Sequence, residues 1–247
     1  MIKQIPNIIT SLNLLCGCVA ILFAVSGDLV SASFFAFAGI FFDFFDGLVA
    51  RLLNAQSQAG LELDSLADVV TSGVVPGIVM VQLLSEAFTG HSLDITNVFS
   101  DDGWNTSVMS FLPFIGLLIT VASAYRLAKF NVDTRQISSF IGLPTPANTL
   151  LILSLPLILT FQGSQEITHF ILRPWFLIAI TVVSCILLNA EVPLFALKFK
   201  TWNLKINAVR YTFLLVSFIC LVLFKFIAIP VSILLYILIS IFWKPKV

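Results

Sequence analysis

The stretch FFDFFDGLVARLLNAQSQAGLELDSLADVV, Phe41 to Val70, places four aspartates inside a very apolar part of the sequence. Asp43 and Asp46 precede a short polar segment, and Asp64 and Asp68 follow it. An aspartate at the centre of a membrane-spanning helix costs about 2.5–3.5 kcal/mol on insertion scales. Four of them facing lipid would rival a typical folding free energy of ~5–15 kcal/mol. We therefore expect all four to face the protein interior, beside a neutralising group.

The whole chain has the composition of an integral membrane protein. Of its 247 residues, 59% are hydrophobic and only 11% are charged. A soluble domain of this length needs a far more charged surface, and the apolar residues here come in long blocks. The net charge of zero gives no indication of nucleic-acid binding. The cysteines lie inside apolar blocks and are predicted to be buried hydrophobic side chains, neither disulfides nor zinc ligands.

Apolar blocks of about 20 residues, the length that crosses a membrane, account for most of the chain. We predict an all-α integral membrane protein with about eight transmembrane helices, forming a single polytopic domain over residues 1–247. The first block is expected to be a retained helix and not a cleaved signal peptide. The last two could alternatively form one hairpin around Ile229 and Pro230. The predicted spans are residues 6–26, 31–51, 61–85, 109–129, 147–162, 173–190, 208–226 and 229–243.

The distribution of basic residues predicts the orientation of these spans. Eight spans place both termini on one side of the membrane, and eleven of the thirteen Lys and Arg residues fall on that side. Only Arg173 and Lys225 fall on the other. Because positive charge concentrates in cytoplasmic loops, we predict cytoplasmic termini in the cell (inner) membrane.

The spacing of the aspartates predicts that they form two layers. Asp43 and Asp46 are three residues apart and Asp64 and Asp68 are four apart, so each pair shares a helix face. A short loop makes the two helices antiparallel neighbours. At ~1.5 Å per residue, Asp43 and Asp68 lie about 12 Å from the cytoplasmic helix ends, and the other two lie roughly 6–8 Å deep.

Four converging carboxylates must take up protons or bind cations, because no run of Lys or Arg is available to balance them. Oxygen ligands in this arrangement suit Mg²⁺ or Mn²⁺, as a two-metal pair. Gly47, Ala50 and Gly60 fall on the same faces and leave space for a ligand to approach the backbone. These observations predict a metal site open to the cytoplasm. Helix pairing by the acids and a cation or proton transporter are the alternatives.

The chain also carries a specific motif, D-x2-D-G-x2-A-R-x8-G-x3-D-x3-D. It is formed by Asp43, Asp46, Gly47, Ala50, Arg51, Gly60, Asp64 and Asp68. This motif resembles the signature of the CDP-alcohol phosphotransferase family, with every fixed position present. The blocks IPNIITSLNLLCG, YRLAKFNVDTRQ and FIGLPTPANTL resemble the membrane-type phosphatidylserine synthases of that family. The resemblance extends from the first helix to the fifth.

The resemblance implies transfer of the phosphatidyl group from CDP-diacylglycerol to L-serine, giving phosphatidylserine and CMP. It implies that the four aspartates hold two divalent cations, and that Asp68 is the general base that takes the proton from the acceptor hydroxyl. It suggests a homodimer, a family core of about residues 1–190 and extra helices at about 208–243. The residues implied to bind CDP-diacylglycerol are Asn7, Thr10, Asp43, Asp46, Gly47, Ala50, Arg51 and Gly60. Asn7 and Thr10 could equally cap or pack the first helix.

The candidates for binding the acceptor are Arg126, Asn131 and Arg135. A guanidinium matches a carboxylate bidentately, which favours Arg126 as the serine carboxylate ligand. Asn131 and the GLPTPAN loop offer oxygens for an ammonium group, and Arg135 is expected to help close the site. Lys129 is expected to anchor the helix at the membrane surface. Glycerol 3-phosphate and inositol phosphate are alternative acceptors, since the motif is shared by enzymes that use them, but both would call for more basic residues.

Overall fold

The computed structural model describes residues 4–93, 111–132, 139–195 and 207–242. These residues are almost entirely helical. The helices are α1 (Ile5–Val25), α2 (Leu29–Leu52), α3 (Gln58–Asp68), α4 (Val75–Thr89), α5 (Leu118–Val132), α6 (Thr145–Gln162), α7 (Gln165–Ile171), α8 (Pro174–Asn189), α9 (Ala208–Phe224) and α10 (Ala228–Phe242). A π-helical turn, Val69–Val74, joins α3 to α4, and 3₁₀ turns at Leu112–Leu117 and Lys225–Ile227 precede α5 and α10.

In the described residues, six continuous helical segments, some made of two consecutive helices, are long and apolar enough to cross a membrane. A seventh is added if the bent pair α7 and α8 counts as one span. The angle within that pair is 56°. The prediction of a helical protein with several helices able to cross a membrane is therefore confirmed, whereas the number eight stays a prediction.

The last of these six segments, residues 208–242, folds back on itself. The ring centroids of Phe213 and Tyr236 lie 5.7 Å apart, whereas a straight helix would separate these residues by roughly 35 Å. The reversal occurs at Lys225, whose φ is +48°. The sequence placed the alternative hairpin a few residues later, around Ile229 and Pro230.

A small β-ribbon, which the all-α prediction did not include, joins two loops at one end of the bundle. Strand β1 (Ser139–Ile141) pairs antiparallel with β2 (Pro193–Phe195). Gly142 follows β1 with a φ of +75°. A Cβ at this position would lie 2.7 Å from the carbonyl oxygen of Leu188, so the tight approach of the ribbon to α8 requires glycine.

Only five residues, 53–57, separate the acidic helices α2 and α3, a loop length that is typical of antiparallel helix pairs. Both begin at side-chain caps. The Asp28 carboxylate accepts a hydrogen bond from Ser31 N at 3.0 Å, and the Ser57 hydroxyl accepts one from Gly60 N at 3.0 Å. Each cap satisfies a backbone donor that the first helical turn leaves free. All four aspartates therefore lie toward the same end of the bundle.

Helix α1 packs against this pair through a face of small and polar residues. Its buried positions recur every three or four residues, as in a helix with one packed face: Pro6, Thr10, Asn13, Gly17, Ala20 and Ala24. A Cβ on Gly17 would collide with Thr71 Oγ1. A Cβ on Gly39 of α2 would lie 2.7 Å from Thr71 Cγ2. Glycines thus let α1, α2 and the π-helical turn meet at close range.

The π-helical turn follows directly after Asp68 and has an identifiable cause. Pro76, in the first turn of α4, has no N–H to donate to the preceding turn. The freed carbonyl oxygen of Ser72 accepts a hydrogen bond from Thr149 Oγ1 of α6 at 3.0 Å. The Gly73 oxygen likewise accepts from Thr120 Oγ1 of α5 at 3.0 Å. Neighbouring helices thereby satisfy the backbone that the wide turn leaves exposed.

Candidate functional site

Three aspartates from α2 and α3 meet in one cluster. Asp43, Asp64 and Asp68 each offer a carboxylate oxygen, and these oxygens all lie within 4.8 Å of one another. In the described part of the chain none of the three pairs with a Lys or Arg, and the ion pair found there joins Lys129 to Glu191. Oδ1 of Asp64 is buried and accepts no hydrogen bond from a described residue. A ligand set made only of carboxylate oxygens, one of them buried and without a hydrogen-bond partner, fits a hard divalent cation.

The fourth aspartate, Asp46, turns toward α1. Its Oδ2 accepts a hydrogen bond from Thr10 Oγ1 at 2.5 Å. The side chain is buried, with 5% of the residue exposed. Asp46 is not part of the three-carboxylate cluster, but it lines the same cavity as Asp64.

A cavity of about 620 Å³ lies beside the carboxylates, between α1, α2, the 53–57 loop and α3. Its volume is within the ~300–1,000 Å³ that is usual for small-molecule sites. The predicted donor-binding residues that line it, together with Asp64, are Asn7, Thr10, Asp46, Gly47, Ala50, Arg51 and Gly60. Asp43 is the only predicted donor-binding residue not in this lining, and it lies in the carboxylate cluster instead.

The small residues of the motif keep this cavity open. Apart from its chain neighbours and its own helix backbone, no described atom lies within 4 Å of the place where a Cβ on Gly47 would stand. A Cβ on Gly60 would lie 3.0 Å from Asn7 Oδ1, so a larger residue there would press on Asn7. Arg51 is exposed, and its Nε donates to the Gly47 carbonyl oxygen at 2.9 Å.

Asn13 is a polar partner of the cluster that the sequence analysis missed. Its Nδ2 donates to Asp68 Oδ1 over 3.5 Å, and Thr71 Oγ1 donates to the Asn13 carbonyl oxygen at 3.2 Å. Asn13 is fully buried. The available signal was its position three residues after Thr10, which places both side chains on one face of the first helix.

The predicted acceptor-binding residues differ in their surroundings. Arg126 is buried with 7% exposed, interacts electrostatically with Asp68, and lies 5.9 Å from the ring centroid of Phe130. Its Nε has no hydrogen-bond partner among the described residues. Asn131 is exposed and donates to Ser65 Oγ at 2.9 Å, one residue beyond Asp64. Arg135 lies outside the described residues.

Further buried polar atoms occur around the π-helical turn. Ser72 Oγ, Ser123 Oγ and both side-chain polar atoms of Asn148 have no hydrogen-bond partner in the described ranges. All three residues are fully buried. Asn148 is the last residue of the GLPTPAN loop and precedes Thr149, which bonds the Ser72 carbonyl oxygen. Native proteins rarely leave such groups unpaired, although none of these three residues lines the 620 Å³ cavity.

Comparison with known families identifies the chain. The sequence model of the CDP-alcohol phosphatidyltransferase family matches residues 3–186, well over half of the protein. The chain belongs to this family. The predicted family is therefore confirmed, and with it the prediction of an enzyme; the transporter alternative gains no support.

Members of the CDP-alcohol phosphatidyltransferase family with similar sequences are named CDP-diacylglycerol–serine O-phosphatidyltransferase. One from Bacillus subtilis is 37% identical over 148 residues, covering 58% of this chain and 70% of the relative. One from Helicobacter pylori is 31% identical over 220 residues, covering 87% and 81%. One from Saccharomyces cerevisiae is 36% identical over 133 residues, covering 50% and 40%. The resemblance to the phosphatidylserine synthases is thus confirmed.

Proposed function

We propose that this protein transfers the phosphatidyl group from CDP-diacylglycerol to L-serine and releases CMP. The observation that carries the proposal is that Asp64 belongs both to the three-carboxylate cluster and to the lining of the cavity, which also holds most of the family motif. The names of the bacterial and yeast relatives support serine as the acceptor.

In this proposal the cavity holds the nucleotide end of CDP-diacylglycerol. Gly47, Ala50 and Gly60 let the ligand approach the backbone, while Arg51 and Asn7 offer donors to its oxygens. The four aspartates would hold two divalent cations, Mg²⁺ or Mn²⁺, which supply charge neutralisation and orientation to a phosphoryl transfer.

Asp68 acts as the general base. The serine hydroxyl gives its proton to the Asp68 carboxylate while its oxygen bonds to the phosphorus that carries the diacylglycerol, and the bond from that phosphorus to CMP breaks. Serine is a weak nucleophile until a base accepts this proton, so the position of Asp68 decides the rate.

The acceptor's charged groups bind behind Asp68. The buried guanidinium of Arg126 binds the carboxylate of the serine substrate. The side chains of Asn148 and Ser72 accept hydrogen bonds from the ammonium group of that serine. Asn131 and Arg135 close the site from the cytoplasm. A dianionic acceptor such as glycerol 3-phosphate or inositol phosphate would need more cations, and Lys129 is already paired with Glu191.

We further propose a multi-pass protein of the cell membrane with eight spans, cytoplasmic termini and a cytoplasmic active site, acting as a homodimer. The fold-back at Lys225 supports a span count above that of the six long segments. Residues 1–247 form one domain, with a family core of about residues 1–190 and two added C-terminal helices, α9 and α10.

An alcohol panel tests the function. Purified protein is incubated with CDP-diacylglycerol, divalent metal and one alcohol at a time, and CMP release is measured. We expect turnover with L-serine and little with glycerol 3-phosphate or inositol phosphate. Preferential use of glycerol 3-phosphate would overturn the serine assignment and leave the family intact.

Metal removal tests the carboxylate cluster separately. EDTA should abolish CMP release, and added Mg²⁺ or Mn²⁺ should restore it, because the clustered carboxylates need a compensating charge. Glu62→Gln, a change at an exposed acid of α3 outside the cluster, should keep the same metal requirement as the unmodified protein. Full activity in chelator would contradict the metal site.

A further inference from the structure

We propose that Thr10 and Asn13 are positioning residues through which α1 fixes one carboxylate on each acidic helix. Thr10 holds Asp46 of α2, and Asn13 holds Asp68 of α3. The inference rests on the proposed function for the roles of the two aspartates, and it gives α1 a role in metal binding and proton transfer.

The hydroxyl proton of Thr10 is committed to Asp46. This hydroxyl has one proton and two acceptors within reach, the Pro6 carbonyl oxygen at 3.1 Å and Asp46 Oδ2 at 2.5 Å. A carboxylate at the shorter distance is the stronger acceptor. Thr10 therefore orients Asp46 and leaves Asp46 Oδ1 for a cation, a different role from the CDP-diacylglycerol binding that the resemblance implies.

Neighbouring residues fix the backbone of Asn13 and leave space for its side chain. Thr71 of the π-helical turn donates to its backbone oxygen. Gly39 of α2 leaves room for its side chain, because a Cβ there would lie 2.9 Å from Asn13 Oδ1. Asn13 Oδ1 has no hydrogen-bond partner among the described residues, so the side-chain amide is oriented by Nδ2, which donates to Asp68 Oδ1 over 3.5 Å.

Both donors are uncharged, and this property suits a metal site. A lysine or arginine at either position would neutralise the carboxylate and compete with a cation, whereas a hydroxyl or amide orients the carboxylate and leaves its charge available. Thr10 and Asn13 lie three residues apart on the buried face of α1. One helix face thus aligns a ligand from each acidic helix.

The Thr10 contact is tested with shape-matched variants of the full-length protein. Thr10→Val keeps the side-chain shape and removes the hydroxyl, and should weaken Mn²⁺ binding, measured by EPR titration without substrate, by about 10–100-fold. Thr10→Ser should recover most of the lost affinity. The control is Thr181→Val, at a buried threonine of α8 whose hydroxyl donates to Leu177 O at 2.8 Å, and it should bind Mn²⁺ as the unmodified protein does. Unchanged Mn²⁺ affinity in Thr10→Val would overturn the proposal for Thr10.

The Asn13 contact is tested with a double-mutant cycle. Asn13→Leu, or Asn13→Ala if the larger residue prevents folding, should lower kcat by about 10–100-fold and leave the KM for CDP-diacylglycerol nearly unchanged. In an Asp68→Asn background the same substitution should cost little more, in kcat or in Mn²⁺ affinity, because coupled residues are not additive. An equal cost in both backgrounds would indicate a structural role and overturn the proposal. Wild-type turnover by Asp68→Asn alone would instead remove Asp68 from the role of base and leave phosphatidyl transfer intact, so the two failures are distinguishable.

Discussion

At the residue scale, the proposed base Asp68 is the most direct test of the chemistry. Asp68→Asn removes the proton acceptor and one metal-ligand oxygen, so kcat should fall by at least the ~10²–10⁴-fold that is typical of a lost general base. Binding of CDP-diacylglycerol should fall less, because the cavity lining stays intact. CMP release and a lipid-binding assay measure the two effects, with Glu62→Gln as the control. Turnover equal to wild type would remove Asp68 from the role of base.

The proposed serine ligand Arg126 gives a separate prediction. Arg126→Ala should raise the KM for serine far more than the KM for CDP-diacylglycerol, since truncating one partner of a buried charge pair costs ~2–5 kcal/mol. Lys129→Ala is the control, because its ion pair with Glu191 is exposed and such pairs contribute only ~0–1 kcal/mol. Steady-state kinetics, with each substrate varied in turn, measure the two KM values separately. Equal changes in the two KM values would rule out a serine-specific role.

The sequence predicted the acids of the site better than their partners. The spacing of Asp43, Asp64 and Asp68 on two antiparallel helices is enough to predict their convergence, because helical periodicity decides which side chains share a face. The turn of Asp46 toward Thr10 and the contact of Asn13 with Asp68 depend on how α1 docks. A polar residue in an apolar helix indicates a contact inside the protein, but the sequence does not identify the residue that makes the contact.

At the scale of the element, Gln162 holds the turn of the C-terminal hairpin. Its Oε1 accepts hydrogen bonds from the backbone N–H groups of Phe226 at 2.8 Å and Ile227 at 3.2 Å, and its Nε2 donates to Phe224 O at 2.9 Å. Gln162→Ala should lower the free energy of unfolding by about 1 kcal/mol. The loss is no larger because water can bond to the backbone groups that the substitution leaves without a partner. Thermal unfolding in detergent measures the effect, and kcat should not change. An unchanged Tm would show that the turn does not depend on this side chain.

The long helices were predictable and the breaks between them were not. Apolar blocks predict α1, α2 and α6 to within a few residues, because membrane thickness sets their length. The π-helical turn shifts hydrogen bonds by one residue and leaves the apolar pattern unchanged. The pairing of β1 with β2 joins three-residue segments that are distant in sequence, and so short a strand has no readable period. The predicted span 173–190 begins where α8 begins, but the short helix α7 before the bend was not predicted.

At the scale of the whole molecule, the predicted orientation can be tested without measuring catalysis. In a cysteine-free background, a membrane-impermeant maleimide should label His91→Cys, at the end of α4, on intact cells. Gln56→Cys, in the loop that borders the cavity, should be labelled only after lysis. Both native residues are exposed on the protein surface. A difference in labelling would therefore report the side of the membrane on which each residue lies. The reverse pattern would place the cavity outside the cell and contradict the cytoplasmic site.

The wide turn at Val69–Val74 sets the rotational phase between the two halves of one membrane span. A regular α-helix rotates by about 100° per residue, so deleting a single residue here would turn all of α4 by that angle relative to Asp64 and Asp68. The acids would then keep their geometry while the face of α4 that contacts the other helices pointed elsewhere. A change of length within Val69–Val74 should therefore disturb the packing of α4 more than a volume-conserving change of residue type there. An insertion or deletion of one residue, harmless in most loops, would here uncouple the reactive end of the protein from the bundle that supports it.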